Sequence, residues 1–116
     1  MFCTLVLLAG CAKLPLENSA PGTPILTSDG IRHAAGIEVL VSVDDPDNDK
    51  VTMQFRATQT SGTVQEFSWT SFIDSGSEEI FYLNLSLGQW TVTATAKDEW
   101  EELSGVATMD LLVTVP

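Results

Sequence analysis

"QWTVTATAK", residues 89–97, alternates Trp90, Val92, Ala94 and Ala96 with Thr91, Thr93 and Thr95. A period of two is the mark of a half-buried β-strand, because successive side chains point to opposite faces, one to a core and one to water. Threonine on the wet face suits a strand better than a helix, since its branched Cβ fits a pleated surface. "KVTMQFRAT", residues 50–58, repeats the pattern with Val51, Met53, Phe55 and Ala57 against Thr52, Gln54, Arg56 and Thr58. "GIEVLVSVD", residues 36–44, sets Ile37, Val39, Val41 and Val43 on one face.

Weaker strands fill the gaps. "TPILTS" (23–28) reads as an edge strand with Pro24 at its start. "TVQEFSWTSF" (63–72) carries Phe67 and Trp69 on one face, "EEIFYLNLS" (78–86) follows, and "GVATMDLLVTV" (105–115) ends the series. Turn signals separate them: "DDPDND", "TSG", "DSGS", "SLG" and "DEWEELSG". No window holds a helical period. About seven short strands at this spacing predict an all-β domain over residues 24–116, an immunoglobulin-like antiparallel β-sandwich, with a small barrel as the alternative.

A chain of 116 residues with 44% hydrophobic content is one domain's worth of globular sequence. Sixteen acids against five bases give a formal charge of −11, which repels phosphate backbones and excludes nucleic acid as a partner. The two cysteines, Cys3 and Cys11, both lie in the first eleven residues, so neither an internal disulfide nor a zinc cluster is available to the domain. His33, the single histidine, is read as a solvated loop residue.

The opening "MFCTLVLLAGC", residues 1–11, is too short to span a bilayer as a helix, which needs about 20 apolar residues. It reads as the apolar part and cleavage site of a secretory signal. "LAGC" resembles the bacterial lipobox, and the resemblance implies a diacylglycerol thioether on Cys11 and a membrane anchor at the cell surface, outer membrane or periplasm. Nothing basic precedes the apolar run. "AKLPLENSAPGT", residues 12–23, is then a tether. The alternative is that the apolar stretch is retained and donates Phe2, Leu5 and Leu7 as a strand to a neighbour's sheet edge, which gives a self-assembling filament.

Over residues 21–116 the chain resembles bacterial and archaeal surface modules of the fibronectin type III and polycystic-kidney-disease (PKD) type. The residues are "DPDND" (45–49) at the turn between the second and third strands, "WTSFIDSG" (69–76), and "WTVTATAKD" (90–98). Asn48 stands where that turn has glycine, and Glu101 stands near a second family glycine. The resemblance implies a surface spacer or binding module and no catalysis.

In a sandwich the turn 44–50 and the turn 97–104 emerge at the same end. That end gathers Asp44, Asp45, Asp47, Asp49, Asp98, Glu99, Glu101 and Glu102, half of all the acids, flanked by Lys50 and Lys97. Raised pKa values, spreading into solvent or a hard cation would each relieve the repulsion. Asp45, Asp47, Asp49 and Asp98 are the candidate calcium ligands; the competing reading is a plain turn, since aspartate and asparagine cap turns through their own backbone. No histidine base, phosphate loop or nucleophile with a partner supports catalysis. Trp90 and Trp69 are expected in the core. Trp100 either folds back over the core's end or stands out as the contact for an unknown protein or glycan partner.

Overall fold

The computed structural model describes residues 18–116. Phe2, Leu5, Leu7 and Cys11, the strand-donation and lipidation candidates, lie outside the described residues. Each alternating stretch forms a strand. In order these are β1 (Ile25–Thr27), β2 (Arg32–His33), β3 (Gly36–Ser42), β4 (Val51–Gln59), β5 (Val64–Glu66), β6 (Glu78–Leu83), β7 (Gly88–Asp98) and β8 (Ala107–Val113). They make two antiparallel four-stranded sheets.

In the first sheet β3 pairs with β6 over Ile37–Ser42, and with the short strands β1 and β2, which take its two ends. In the second sheet the order is β5-β4-β7-β8. The inner faces are those the alternation predicts: Ile37, Val39 and Val41 from β3, Val51, Met53, Phe55 and Ala57 from β4, and Trp90, Val92, Ala94 and Ala96 from β7 are all buried. Large and small side chains alternate across the ladder, with Phe55 opposite Ala94 and Met53 opposite Ala96. The space above the alanines admits Phe81 from the other sheet, whose ring meets Phe55 at 5.4 Å between centroids. Trp90 is fully enclosed and donates its Nε1 hydrogen to the Ser86 carbonyl at 2.8 Å. The two sheets are stitched where Arg32 N donates to Thr114 O and Thr114 N to Gly30 O. Gly30 has φ 76°, and a Cβ there would lie 2.2 Å from the Leu112 carbonyl oxygen, so only glycine fits that crossing.

Two details differ from the sequence reading. His33, expected in a loop, lies in the two-residue strand β2, exposed to solvent; two residues are too few to show alternation. The stretch 63–72 is a regular strand only over β5. Beyond it, Phe67 N donates to Phe55 O, Thr70 N to Met53 O and Ile73 N to Val51 O. Three residues on this side answer two on β4, so the segment bulges at each step. The Thr70 hydroxyl accepts from Met53 N at 3.0 Å where a strand would offer a carbonyl.

Phe55→Ala removes a side chain packed from both sheets. It is expected to cost about 3–5 kcal/mol, against less than about 0.5 kcal/mol for Arg56→Ala on the exposed face of the same strand. Urea denaturation of the two variants reads the difference.

Candidate metal centre

β4 and β7 are neighbours, and Val51 lies opposite Asp98. The β3–β4 turn and the β7–β8 loop therefore leave the sandwich side by side. They fold the same way. Asp45 Oδ1 accepts from Asp47 N (2.8 Å) and Asp49 N (3.3 Å), while Asn48 N donates to Asp45 O (2.9 Å). Asp98 Oδ1 accepts from Trp100 N and Glu102 N (both 2.9 Å), while Glu101 N donates to Asp98 O (3.0 Å). In each loop a head aspartate gathers the amides two and four residues on, which is why an aspartate sits there. The residue three places on is left-handed in both: Asn48 at φ 59° and Glu101 at φ 65°. A non-glycine residue in that region costs about 1–2 kcal/mol, least for asparagine, so the Asp98 loop is held by its hydrogen bonds against strain at Glu101.

The loops differ at the second oxygen of the head. Asp98 is fully buried, and its Oδ2 accepts from Asn18 Nδ2 at 2.7 Å. Asp45 is 6% exposed, and its Oδ2 is buried with no donor; Asp49 Oδ2 is buried and unpartnered beside it. A buried carboxylate oxygen without a donor is expensive, and Asp98 shows how the same fold avoids it. One ligand oxygen from each of Asp45, Asp47 and Asp49 lies within 4.8 Å of the others. Calcium–oxygen bonds of about 2.3–2.6 Å put two ligands of one ion up to about 5 Å apart, so a single calcium ion fits the group. Asp98, the fourth residue singled out in the sequence, heads the neighbouring loop and accepts from protein donors on both oxygens.

The electrostatics point the same way. The Asp49 carboxyl is pushed above its usual 3.8, first by loss of solvent and then by the charges of Asp45, Asp98, Glu99 and Asp47. The flanking lysines face elsewhere: Lys50 Nζ sits 3.1 Å from Asp74 Oδ1, and Lys97 Nζ lies 4.3 Å over the Trp69 ring. Lys50 contributes its backbone amide, which donates to Glu99 Oε1 at 3.2 Å and ties the two loops together.

Three further groups close on this end and were not singled out in the sequence. Ser75 Oγ accepts from Asp45 N at 2.7 Å. Ser19 N donates to Asp47 Oδ2 at 2.7 Å, and Gly22 N to Asp44 O at 2.7 Å. Asn18, Ser19 and Gly22 belong to the stretch read as a tether; no pattern in residues 12–23 marks them, since their partners are distant in sequence. Trp69 and Phe67 are half-buried, and Phe67 packs on the core. Trp100 does not fold back over the core: it is 58% exposed.

No protein-family model matches the chain, and no curated protein matches it. Among solved structures it is similar to the PKD domain of an M14-like peptidase from a Thermoplasmatales archaeon, with a TM-score of 0.63 and 24% identity over 83% of this chain and 97% of that one. It is also similar to the PKD1 domain of Vibrio anguillarum Epp, with a TM-score of 0.43 and 20% identity over 85% of this chain and 99% of that one. The fold is thus a PKD-like β-sandwich.

A carboxyl whose pKa is raised by folding holds its proton more tightly in the folded state. Asp49 therefore favours folding below its unfolded value and loses that advantage as pH rises through its folded one. Asp49→Asn is expected to raise the urea midpoint at pH 7 in chelator, and the gain should shrink as the pH falls toward 4. Equal midpoints at pH 7 would show that Asp49 carries no penalty.

Proposed function

We propose that the chain is a non-catalytic binding or spacer module of a secreted or surface protein, and that its acidic end holds a calcium ion. The observation that carries the ion is the pair of buried, unpartnered oxygens on Asp45 and Asp49 beside Asp47. All candidate ligands are oxygens, which suits a hard cation. The sandwich interior is filled by apolar side chains, and the acids stand on the loops at one end, an arrangement for holding an ion or a partner. A similar sandwich is named as one domain of a peptidase, and a module beside a catalytic domain is the setting this reading suits.

In this reading Cys11 carries a lipid that holds the module at a membrane outside the cytoplasm, on the strength of "LAGC" after an apolar run. The exposed Trp100 ring beside Glu99, Glu101 and Glu102 is the contact for a protein or glycan partner. A second reading, a self-assembling subunit that donates Phe2, Leu5 and Leu7, is favoured by β6. Among the described residues that strand pairs only with β3, so its other edge is open to strand addition.

Extracellular calcium modules have dissociation constants of about 10⁻⁴–10⁻³ M. Millimolar calcium should then add about 0.4–1.4 kcal/mol, a rise of a few degrees in Tm. Magnesium should do less, because it demands tight octahedral geometry and keeps its waters. Asp47→Asn with Asp49→Asn should abolish the calcium response. Equal shifts with both metals, unchanged in the double variant, would mean screening and a plain turn. For the anchor, a palmitate analogue fed to cells should label the wild type and spare Cys11→Ala; equal labelling of both, or none in either, overturns it.

A further inference from the structure

Residues 18–22 lie across the acidic end as a strap. Asn18 Nδ2 reaches Asp98 Oδ2, Ser19 N reaches Asp47 Oδ2, and Gly22 N reaches Asp44 O, each at 2.7 Å. Pro21 and Pro24 are buried. At Gly105 an added Cβ would come within 2.7 Å of Thr23 Oγ1, so the β7–β8 loop has closed up against the strap's end.

Asp47 belongs to both assemblies. One of its oxygens receives the strap's Ser19 amide, and the residue also contributes to the cluster of Asp45 and Asp49. Asp47 is exposed, so it is free to turn unless something holds it. A cation shared with Asp45 and Asp49 would fix its carboxylate, and a fixed carboxylate would meet Ser19 N without further ordering. The same ion would offset the repulsion around the buried Asp98, whose second oxygen the docked Asn18 covers.

We propose that calcium at Asp45, Asp47 and Asp49 and the docking of residues 18–22 are coupled, so that the ion acts as a clasp on the chain where it joins the domain. This rests on the calcium reading above. With the ion bound, residues 18–22 are a splint against the sandwich; without it they are a hinge. The chain leaves the last strand at the other end of the sandwich, where Thr114 bonds Gly30 and Arg32, so the clasp acts at the acidic end alone.

Coupling of this kind is reciprocal: the factor by which calcium tightens the strap is the factor by which the strap tightens calcium. Amide exchange and a calcium titration can both be followed by nuclear magnetic resonance on the full chain. Saturating calcium should slow exchange at Ser19 and Gly22 by about 5-fold or more, the low end of typical couplings, and slow Thr114 at the far end by less. Ser19→Pro, which removes the donor to Asp47, and Asn18→Ala should each weaken calcium binding, Ser19→Pro by a similar factor, while circular dichroism shows both folded. Unchanged exchange at Ser19 and Gly22 with calcium bound, or wild-type affinity in both variants, overturns the clasp and leaves the calcium site standing. Slowing that is equal at Thr114 also overturns it, since that is general stabilisation. A titration in which the wild type binds no calcium removes the site and the clasp together.

Discussion

The ladder between β4 and β7 is the constraint on which the rest depends. It runs without a break from Val51 opposite Asp98 to Gln59 opposite Trp90. Its register puts Val51, Met53, Phe55 and Ala57 on the same face as Val92, Ala94 and Ala96, and that shared face is the floor of the core. A slip of one residue would set the apolar face of one strand beside the wet face of the other and turn one of the two sets to water. The same register fixes where the two strands stop, and so brings the Asp45 and Asp98 loops into contact. The acidic end is a consequence of the strand pairing that builds the core.

At that end two opposing requirements meet. Each loop needs an aspartate at its head, because a carboxylate oxygen can take two backbone amides that a turn would otherwise leave unsatisfied. Placing two such loops together also concentrates negative charge where solvent is scarce. Asp98 resolves this with protein donors on both oxygens. Asp45 has donors for one oxygen only. Two loops of one geometry, one satisfied and one not, form a comparison inside a single molecule. A cation beside Asp45 and Asp49, as proposed above, would supply positive charge to several carboxylates at once, which a neutral donor does not.

How much of this was legible in the sequence follows from how local each signal is. β3, β4 and β7 were readable because alternation over seven or more residues has a single meaning. The segment after β5 was misread as a continuing strand: Phe67 and Trp69 do alternate, but one-residue bulges are invisible to a period. That the two acidic loops converge was readable, since sandwich topology fixes which loops share an end. The roles within the cluster were not. Composition groups Asp98 with the other three aspartates, and only the structure shows that its second oxygen meets the amide of Asn18, eighty residues away. The left-handed positions were half-readable: Asn48 announces itself, whereas Glu101 at φ 65° contradicts its own propensity and is explained only by the four hydrogen bonds of the Asp98 loop.

The strength of the proposed ion site bears on where the module works. The cluster gives three carboxylates on a short, partly exposed turn, a weaker donor set than the closed loops that capture calcium at submicromolar levels. Such a site fills only where calcium is plentiful, which is outside the cytoplasm. The first eleven residues suggest the same compartment by a separate route, through a short apolar run ending in "LAGC". A leader acts through hydrophobicity before folding is complete, and the ion acts through charge once the two loops have met. If both hold, the domain is loose at its acidic end while calcium is scarce, and it stiffens on reaching the compartment where it is used.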